Sequence, residues 1–352
     1  MSQELDVIII GGGQAGLSVA YFLRRAKLNY LILDDRKEAG GAWQRTWDSL
    51  RIFSPSQFSS LSGWLMPPGP DEYPTKDYLL DYIRKYEERY KFPIQRETKV
   101  KKVTKQGELF KLTTNQGVFY SRCLVSATGT AQNPSIPHYE GHANFKGKQV
   151  HSVDYVNPKD LESKKVLVIG GGNSGAQILA EVSKVAETKW ITLDEPNFLP
   201  EEIDGRYLFN AATEKYLSGN TATKKTKASL SDIVQVATVK EGLQRGIYTS
   251  YRPFDSFYED GIIWPDGSKE EFDAVIWCTG FKPDLDHLEG LGLIQNGKIR
   301  TKHTRSIEEP GLWLVGYANW TGYASATLYG VGKTAKQTAT EISEYIKELM
   351  DQ

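Results

Sequence analysis

Short unbroken apolar runs occur twice along the chain, each time with the same neighbours. Asp6-Val-Ile-Ile-Ile10 runs straight into glycine, the pattern of a strand buried on both faces of a parallel sheet. Residues 14 to 26 then carry Ala15, Leu17, Val19, Ala20, Phe22 and Leu23, a set that a buried helix accommodates. Tyr30-Leu-Ile-Leu33 reads as a second strand and closes on Asp34. Strand, glycine turn, helix and strand within about 30 residues form a βαβ unit. Residues 76 to 90 space their apolar groups for an amphipathic helix. Residues 98 to 126 alternate like a β meander with a turn at Asn115-Gln-Gly117, and end at Leu124-Val-Ser-Ala-Thr-Gly129.

The pattern then restarts. Lys165-Val-Leu-Val-Ile-Gly170 predicts a strand, Gly170 to Gly175 a turn, Ala176 to Val185 a helix, and Lys189-Trp-Ile-Thr-Leu193 a strand closing on Asp194. A second meander leads to Ala274-Val-Ile-Trp-Cys-Thr-Gly280, the counterpart of Leu124 to Gly129. The duplication is of architecture, not of a short tandem motif, so a solenoid is not indicated. An amphipathic helix predicted over Thr334 to Leu349, with Ile342, Tyr345, Ile346 and Leu349 on one face, should pack back on the first unit. The expected organisation is therefore residues 1–155 plus 281–352 as one discontinuous domain and 160–280 as a second. Residues 196–250 are polar, include Lys224-Lys225, and fit neither repeat. They read as an excursion, either a lid or a loosely packed surface insertion.

Both units carry the same phosphate chemistry. Gly11-Gly-Gly-Gln-Ala-Gly16 and Gly170-Gly-Gly-Asn-Ser-Gly175 each satisfy G-x-G-x-x-G. Gly11 and Gly170 permit the turn, Gly13 and Gly172 let a pyrophosphate approach the backbone, and Gly16 and Gly175 let helix and strand pack closely. Free N–H groups at the helix start, around Gln14-Ala15 and Asn173-Ser174, face the phosphates. An acid roughly 20 residues on accepts the ribose hydroxyls; Asp34 and Asp194 stand at that spacing. A P-loop is excluded, because the glycine required before Gly332-Lys333-Thr334 is Thr327. The fold class is α/β, with two Rossmann-like dinucleotide-binding domains in the three-layer ββα arrangement of glutathione reductase, each with a small β meander.

Two cradles imply two nucleotides. FAD in the first and NADH or NADPH in the second, with hydride crossing between them, is the economical assignment. Trp190 to Pro196 holds no arginine or lysine for a 2′-phosphate. A hydrogen bond from the ribose to the Asp194 carboxylate, worth about 1.5–3 kcal/mol, would favour NADH by about ten- to a hundredfold.

Composition narrows the partners. The 352 residues carry 43 basic and 44 acidic side chains, a formal net charge of -1, which leaves no excess to neutralise nucleic acid. Two cysteines, Cys123 and Cys278, make neither a disulfide framework nor a CxxC pair and suit a reducing compartment. The start of the chain lacks a secretory pattern, and no apolar run is long enough to span a bilayer. A cytoplasmic protein without membrane contact is expected. Five histidines without an HExxH motif offer no metal site, and no paired acid–base or nucleophile constellation marks a catalytic residue.

Between the units, Phe145-Lys-Gly-Lys-Gln-Val-His-Ser-Val-Asp-Tyr155 resembles the FxGxxxHxxx(Y/F) signature of the flavin-containing monooxygenases, at Phe145, Gly147, His151 and Tyr155. Gly40-Gly41-Ala42-Trp43 is similar to the family's GGxW segment against the flavin. Ala127-Thr128-Gly129 resembles its ATG junction, and Leu314 to Asn319 the late segment that returns to the flavin. The compact length and the run Gln44 to Pro55 are most similar to small bacterial members. The resemblance implies that Gly41, Ala42, Trp43, Phe53, Val100, Thr128, Gly129 and Asn319 surround FAD. It further implies that NAD(P)H reduces FAD, that O₂ adds at the flavin C4a atom, and that the hydroperoxide oxygenates a soft nucleophile, a sulfide to a sulfoxide or an amine to its N-oxide. The substrate is a small organic molecule, and a homodimer is the assembly typical of such relatives. Two departures bear on the chemistry. Phe53 stands where larger relatives place an asparagine beside the flavin, and Leu193-Asp194 replaces the basic or hydroxyl residues of NADPH-dependent members, which implies that NADH is accepted.

Four other functions share this architecture. A Baeyer–Villiger monooxygenase usually has tryptophan at the place of Tyr155. A disulfide reductase needs the missing CxxC, and Cys123 and Cys278 are expected in buried strands. An NAD(P)H oxidase or a nicotinamide-sensing accessory flavoprotein would need the cradles without oxygen transfer.

Overall fold

The first apolar run becomes the central strand of a parallel sheet. The computed structural model describes residues 4–205, 207–208, 232–322 and 324–351, except the side chain of Asn319. Along the chain come β1 (Glu4–Ile10), α1 (Gln14–Leu23), β2 (Tyr30–Leu33), α2 (Lys76–Tyr90), β3 (Ile94–Gln95) and the meander β4 (Val100–Gln106), β5 (Leu109–Thr114) and β6 (Gly117–Ser126). The second unit holds β7 (Lys148–His151), β8 (Lys165–Ile169), α3 (Asn173–Val182), β9 (Glu187–Ile191), α4 (Ala237–Gln244) and β10 (Ser250–Tyr251). It continues with a three-stranded antiparallel meander, β11 (Ser256–Tyr258), β12 (Gly261–Ile263) and β13 (Lys269–Glu271), and with β14 (Ala274–Trp277). The hairpin β15 (Ile294–Gln295) and β16 (Lys298–Ile299) precedes β17 (Thr301–Lys302), β18 (Arg305–Ser306), β19 (Leu312–Leu314) and α5 (Leu328–Met350).

Two parallel cores result, β3-β2-β1-β6-β19 and β10-β9-β8-β14-β7. The orders superimpose strand for strand, with β7 in the place of β19. The fifth strand thus comes from the late chain in the first unit and from the linker in the second. That corrects the boundary drawn at residue 155. Lys148–His151 pairs with β14, and Phe145 is buried with Leu167, Ile169 and Trp277 of the second sheet. The signature segment is an edge strand rather than a free connection. Tyr155 continues the attachment, donating its hydroxyl to Glu181 of α3 at 3.0 Å.

Helix ends follow their capping chemistry. Thr75 accepts the Tyr78 N–H at the start of α2, whose buried face is Leu79, Tyr82, Ile83 and Tyr86 at the i, i+3, i+4, i+7 spacing of an amphipathic helix. Thr327 accepts the Gly330 N–H and starts α5 earlier than Thr334. Its Val331, Ala335, Ile342 and Ile346 pack with Leu17, Ala20 and Leu23 of α1 in one core. The late helix therefore does close on the first unit.

Residues 196–250 are less of an excursion than their polarity suggested. Phe198 bridges Ile233, and Leu199, Leu208, Ile233, Val234, Val236 and Val239 are buried with α3 in the second unit's core. The apolar cluster Ile233 to Val239 was hidden inside a mainly polar window. Residues 206 and 209–231, with Lys224-Lys225, lie outside the described residues.

Candidate functional site

Two glycine turns make two cradles by the same geometry. Gly11 has φ +104° and a Cβ there would lie 2.5 Å from the Ala127 carbonyl oxygen; at Gly170, φ is +129° and the clash is 2.2 Å from that of Cys278. A Cβ on Gly16 would sit 1.9 Å from the Gly11 oxygen, and one on Gly175 2.0 Å from that of Gly170. Each helix thus starts in contact with its turn. Unlike α2 and α5, α1 and α3 begin at glycines, Gly13 and Gly172, with no side chain capping their first amides. Uncapped N–H groups at a positive dipole end, beside a cleft, fit a pyrophosphate.

The first cleft, about 760 Å³, is walled by Gly11, Gly13, Gln14, Ala15, Asp34, Gly41, Ala42, Trp43, Phe53, Val100, Thr128 and Gly129. All were assigned from sequence to the flavin. Gln14 fastens this wall: its Oε1 accepts the Trp43 indole N–H at 3.0 Å and its Nε2 donates to the Ala326 carbonyl at 2.6 Å. Asp34 is almost fully buried. Its carboxylate accepts the Gly12 N–H, the Arg36 N–H at 2.8 Å and Arg96 Nη1 at 3.0 Å. A carboxylate has about four lone-pair sites, so one remains for a ribose hydroxyl. Asn319 falls in the turn Ala318–Thr321, and its side chain lies outside the described residues. Gly16 sits behind the wall, against Gly11.

The second cleft, about 620 Å³, is walled by Gly170, Gly172, Thr192, Leu193, Asp194, Glu195 and Cys278 among others. Gly175 packs behind it. Asn173 and Ser174, assigned to the same nucleotide, line the first cleft instead. The Asn173 side chain is engaged elsewhere, accepting the Val234 N–H at 2.9 Å and donating to the Asp232 carbonyl at 2.8 Å, so only its backbone is open to a phosphate.

Asp194 requires a correction. In the first unit Ile10 pairs with Leu33, Gly11 donates to the Leu33 carbonyl, and Asp34 follows. In the second, Ile169 pairs with Ile191, Gly170 donates to the Ile191 carbonyl, and Thr192 follows. Thr192 therefore stands where Asp34 does. The strand ends two residues earlier than predicted, and Asp194 lies beyond it on the exposed rim of the cleft. Sequence reading also missed Arg252. The parallel pair Tyr251–Ile191 brings it to the end of β9, where Nη1 contacts Thr192 Oγ1 and the Asp194 carbonyl. No local window could have found it, since the contact crosses the whole excursion.

Beneath the first cleft, Ser126 Oγ lies 2.9 Å from His287 Nε2 and 2.5 Å from the Tyr317 hydroxyl, which is 2.6 Å from Thr128 Oγ1. Burial pushes His287 down to about 4 and Tyr317 up to about 12, so both are neutral near pH 7. Because the folded His287 binds its proton less readily than the unfolded one, the unfolded state takes it up first as pH falls. The His287 contribution is intact above pH 6.5 and is lost between pH 6.5 and about 4. At 1.36 kcal/mol per pH unit that is on the order of 3 kcal/mol. Urea midpoints measured from pH 7 to 4.5 should fall more steeply for the wild type than for His287→Asn. Parallel curves would remove His287 from the account.

Residues 8–316 match the model of the pyridine nucleotide-disulphide oxidoreductases. A flavin-containing monooxygenase from Stenotrophomonas maltophilia is 42% identical and superimposes with a TM-score of 0.90, over 98% of this chain and 99% of that one. A CzcO-like uncharacterized oxidoreductase of Geobacillus kaustophilus is 32% identical across 97% of this chain and 99% of its own. A bacillithiol disulfide reductase from Bacillus cereus, 20% identical with a TM-score of 0.75 over 97% of this chain and all of that one, shares the fold. Dithiol chemistry has no residues here. Cys123 is buried within β6, while Cys278 follows β14 rather than lying in it and faces the second cleft. Burial pushes both thiols up to about 12, far from the thiolate form that attacks disulfides. The chain belongs to the pyridine nucleotide-disulphide oxidoreductase family, on its flavin-dependent monooxygenase branch.

Proposed function

We propose that the protein uses NADH and O₂ to oxygenate soft nucleophiles, thioethers to sulfoxides and amines to N-oxides, with FAD in the first cleft and the nicotinamide nucleotide in the second. One observation carries this reading. The start of α3 is common to both clefts, with Gly172 in the wall of the second and Asn173 in the wall of the first. A dinucleotide whose pyrophosphate rests on this helix end leads from one cleft into the other.

FAD, when bound, supplies electron storage and oxygen activation. The chain's own residues hold it and keep water out. Backbone amides from Gly13 to Gly16 would meet the pyrophosphate and Asp34 the ribose. Trp43, Phe53, Val100, Thr128 and Gly129 would line the rest of the bound cofactor, with Asn319 on the returning segment. In the second unit Gly170, Gly172, Asn173, Ser174 and Gly175 build the phosphate seat. Trp47, Leu50, Phe53, Val153 and Phe281 give the first cleft an apolar wall, which favours transfer of oxygen to substrate over release of peroxide. The rim supports NADH over NADPH, since the Asp194 carboxylate opposes a 2′-phosphate and Glu195 occupies Arg252, the cation that could receive one.

FAD-loaded protein given NADH, O₂ and an aryl methyl sulfide should yield sulfoxide in proportion to NADH consumed. Peroxide alone would replace the monooxygenase with an oxidase. Negligible NADH consumption would favour an accessory flavoprotein.

A further inference from the structure

This inference rests on the reading of the second cleft as a nicotinamide nucleotide site. The residue after β9 is Thr192, nearly fully buried, and Arg252 is fixed beside it by the parallel pairing of β10 with β9. Arg252 Nη1 lies 2.5 Å from Thr192 Oγ1, 3.1 Å from the Thr192 carbonyl and 2.9 Å from the Asp194 carbonyl. Nη2 lies 3.1 Å from Ser250 Oγ and is ion-paired with the Glu195 carboxylate, which also accepts from Ser250 Oγ at 3.2 Å. Thr192, Asp194 and Glu195 all belong to the wall of the cleft.

Guanidinium is the side-chain group best matched to a phosphate, through paired N–H donors in one plane. Here one such group stands at the ribose end of a nucleotide cleft, aligned by backbone carbonyls on one side and occupied by a carboxylate on the other. We propose that Glu195 takes the place of a 2′-phosphate, so that Arg252 is a masked phosphate receptor and the Glu195–Arg252 pair sets the choice between NADH and NADPH. With Glu195 present, the cation is neutralised and a 2′-phosphate would have to displace a tethered anion. With the carboxylate removed, the same aligned guanidinium faces the ribose without a counter-ion. The pair is largely exposed, so the effect is greatest at low ionic strength.

Calorimetric titration of FAD-loaded protein with AMP and with adenosine 2′,5′-bisphosphate reads this directly, without turnover. Wild type should prefer AMP. Glu195→Gln should tighten the bisphosphate relative to AMP about tenfold or more, the equivalent of one charge-assisted contact. Glu195→Gln combined with Arg252→Met should lose that gain. An unchanged bisphosphate affinity relative to AMP in Glu195→Gln, or a gain that survives Arg252→Met, overturns the proposal while the nucleotide site stands. Failure of wild type to bind either ligand would overturn the site and the proposal together.

Discussion

Gly16→Ala is expected to yield protein without flavin, and Gly175→Ala protein that keeps its flavin but cannot reduce it with NADH. In both, the new methyl would lie 1.9–2.0 Å from the carbonyl oxygen of the first glycine of its turn. Neither partner can yield cheaply, because each is backbone. Gly11 is held by the Leu33 carbonyl and Gly170 by that of Ile191. The helix start must move instead, carrying its amides off the phosphate positions. Misplacement of about 1 Å typically costs on the order of a hundredfold, and overpacking itself costs about 1–3 kcal/mol of stability. Absorbance of the purified proteins, then stopped-flow mixing with NADH under anaerobic conditions, separates the two variants. Dithionite should still bleach the flavin of Gly175→Ala. Loss of flavin from Gly175→Ala with retention in Gly16→Ala would reverse the assignment of the clefts.

The elements that hold these turns were legible because their signals are local. The run Val7 to Ile10, the spacing of Leu79, Tyr82, Ile83 and Tyr86, and the turn at Asn115 to Gly117 each specify their own backbone. The phosphate seat of the first cleft and Asp34 are local in the same way, since both fall within one βαβ unit, whereas Trp43, Phe53, Val100 and Thr128 were reached only through the family resemblance. What could not be read was set by pairing between distant segments. The equivalence of Thr192 with Asp34 depends on register across β8 and β9, which a count of residues missed by two. Arg252 reaches the end of β9 only through β10, and the signature segment's role as fifth strand depends on β14. Ile233, Val234 and Val239 were lost in the average polarity of their surroundings.

The same dependence on distant contact gives Gln177→Leu a large expected effect on flavin reduction. Gln177 is buried on α3, and its amide pairs with the backbone of Arg51 as a strand neighbour would. Oε1 accepts the Arg51 N–H at 3.1 Å and Nε2 donates to the Arg51 carbonyl at 3.1 Å. Arg51 belongs to the segment that supplies Trp47, Leu50 and Phe53 to the first cleft, while α3 carries the phosphate seat of the second. This amide therefore helps hold the two clefts in register, beside the Gly205 N–H on the Phe53 carbonyl, the Asp48 N–H on the Val156 carbonyl and the packing of Trp47 and Leu50 on α3. Leucine fills the space but leaves two backbone groups without partners, at about 1–3 kcal/mol each if they stay buried. The segment is expected to shift rather than bear that cost. FAD content should remain, since Gly11 to Gly16 are untouched, while the rate of anaerobic reduction by NADH should fall about a hundredfold. Gln177→Glu retains the acceptor for the Arg51 N–H and should fall between the two. A Gln177→Leu variant that is reduced at the wild-type rate would mean that contacts other than this amide hold the nucleotides in line.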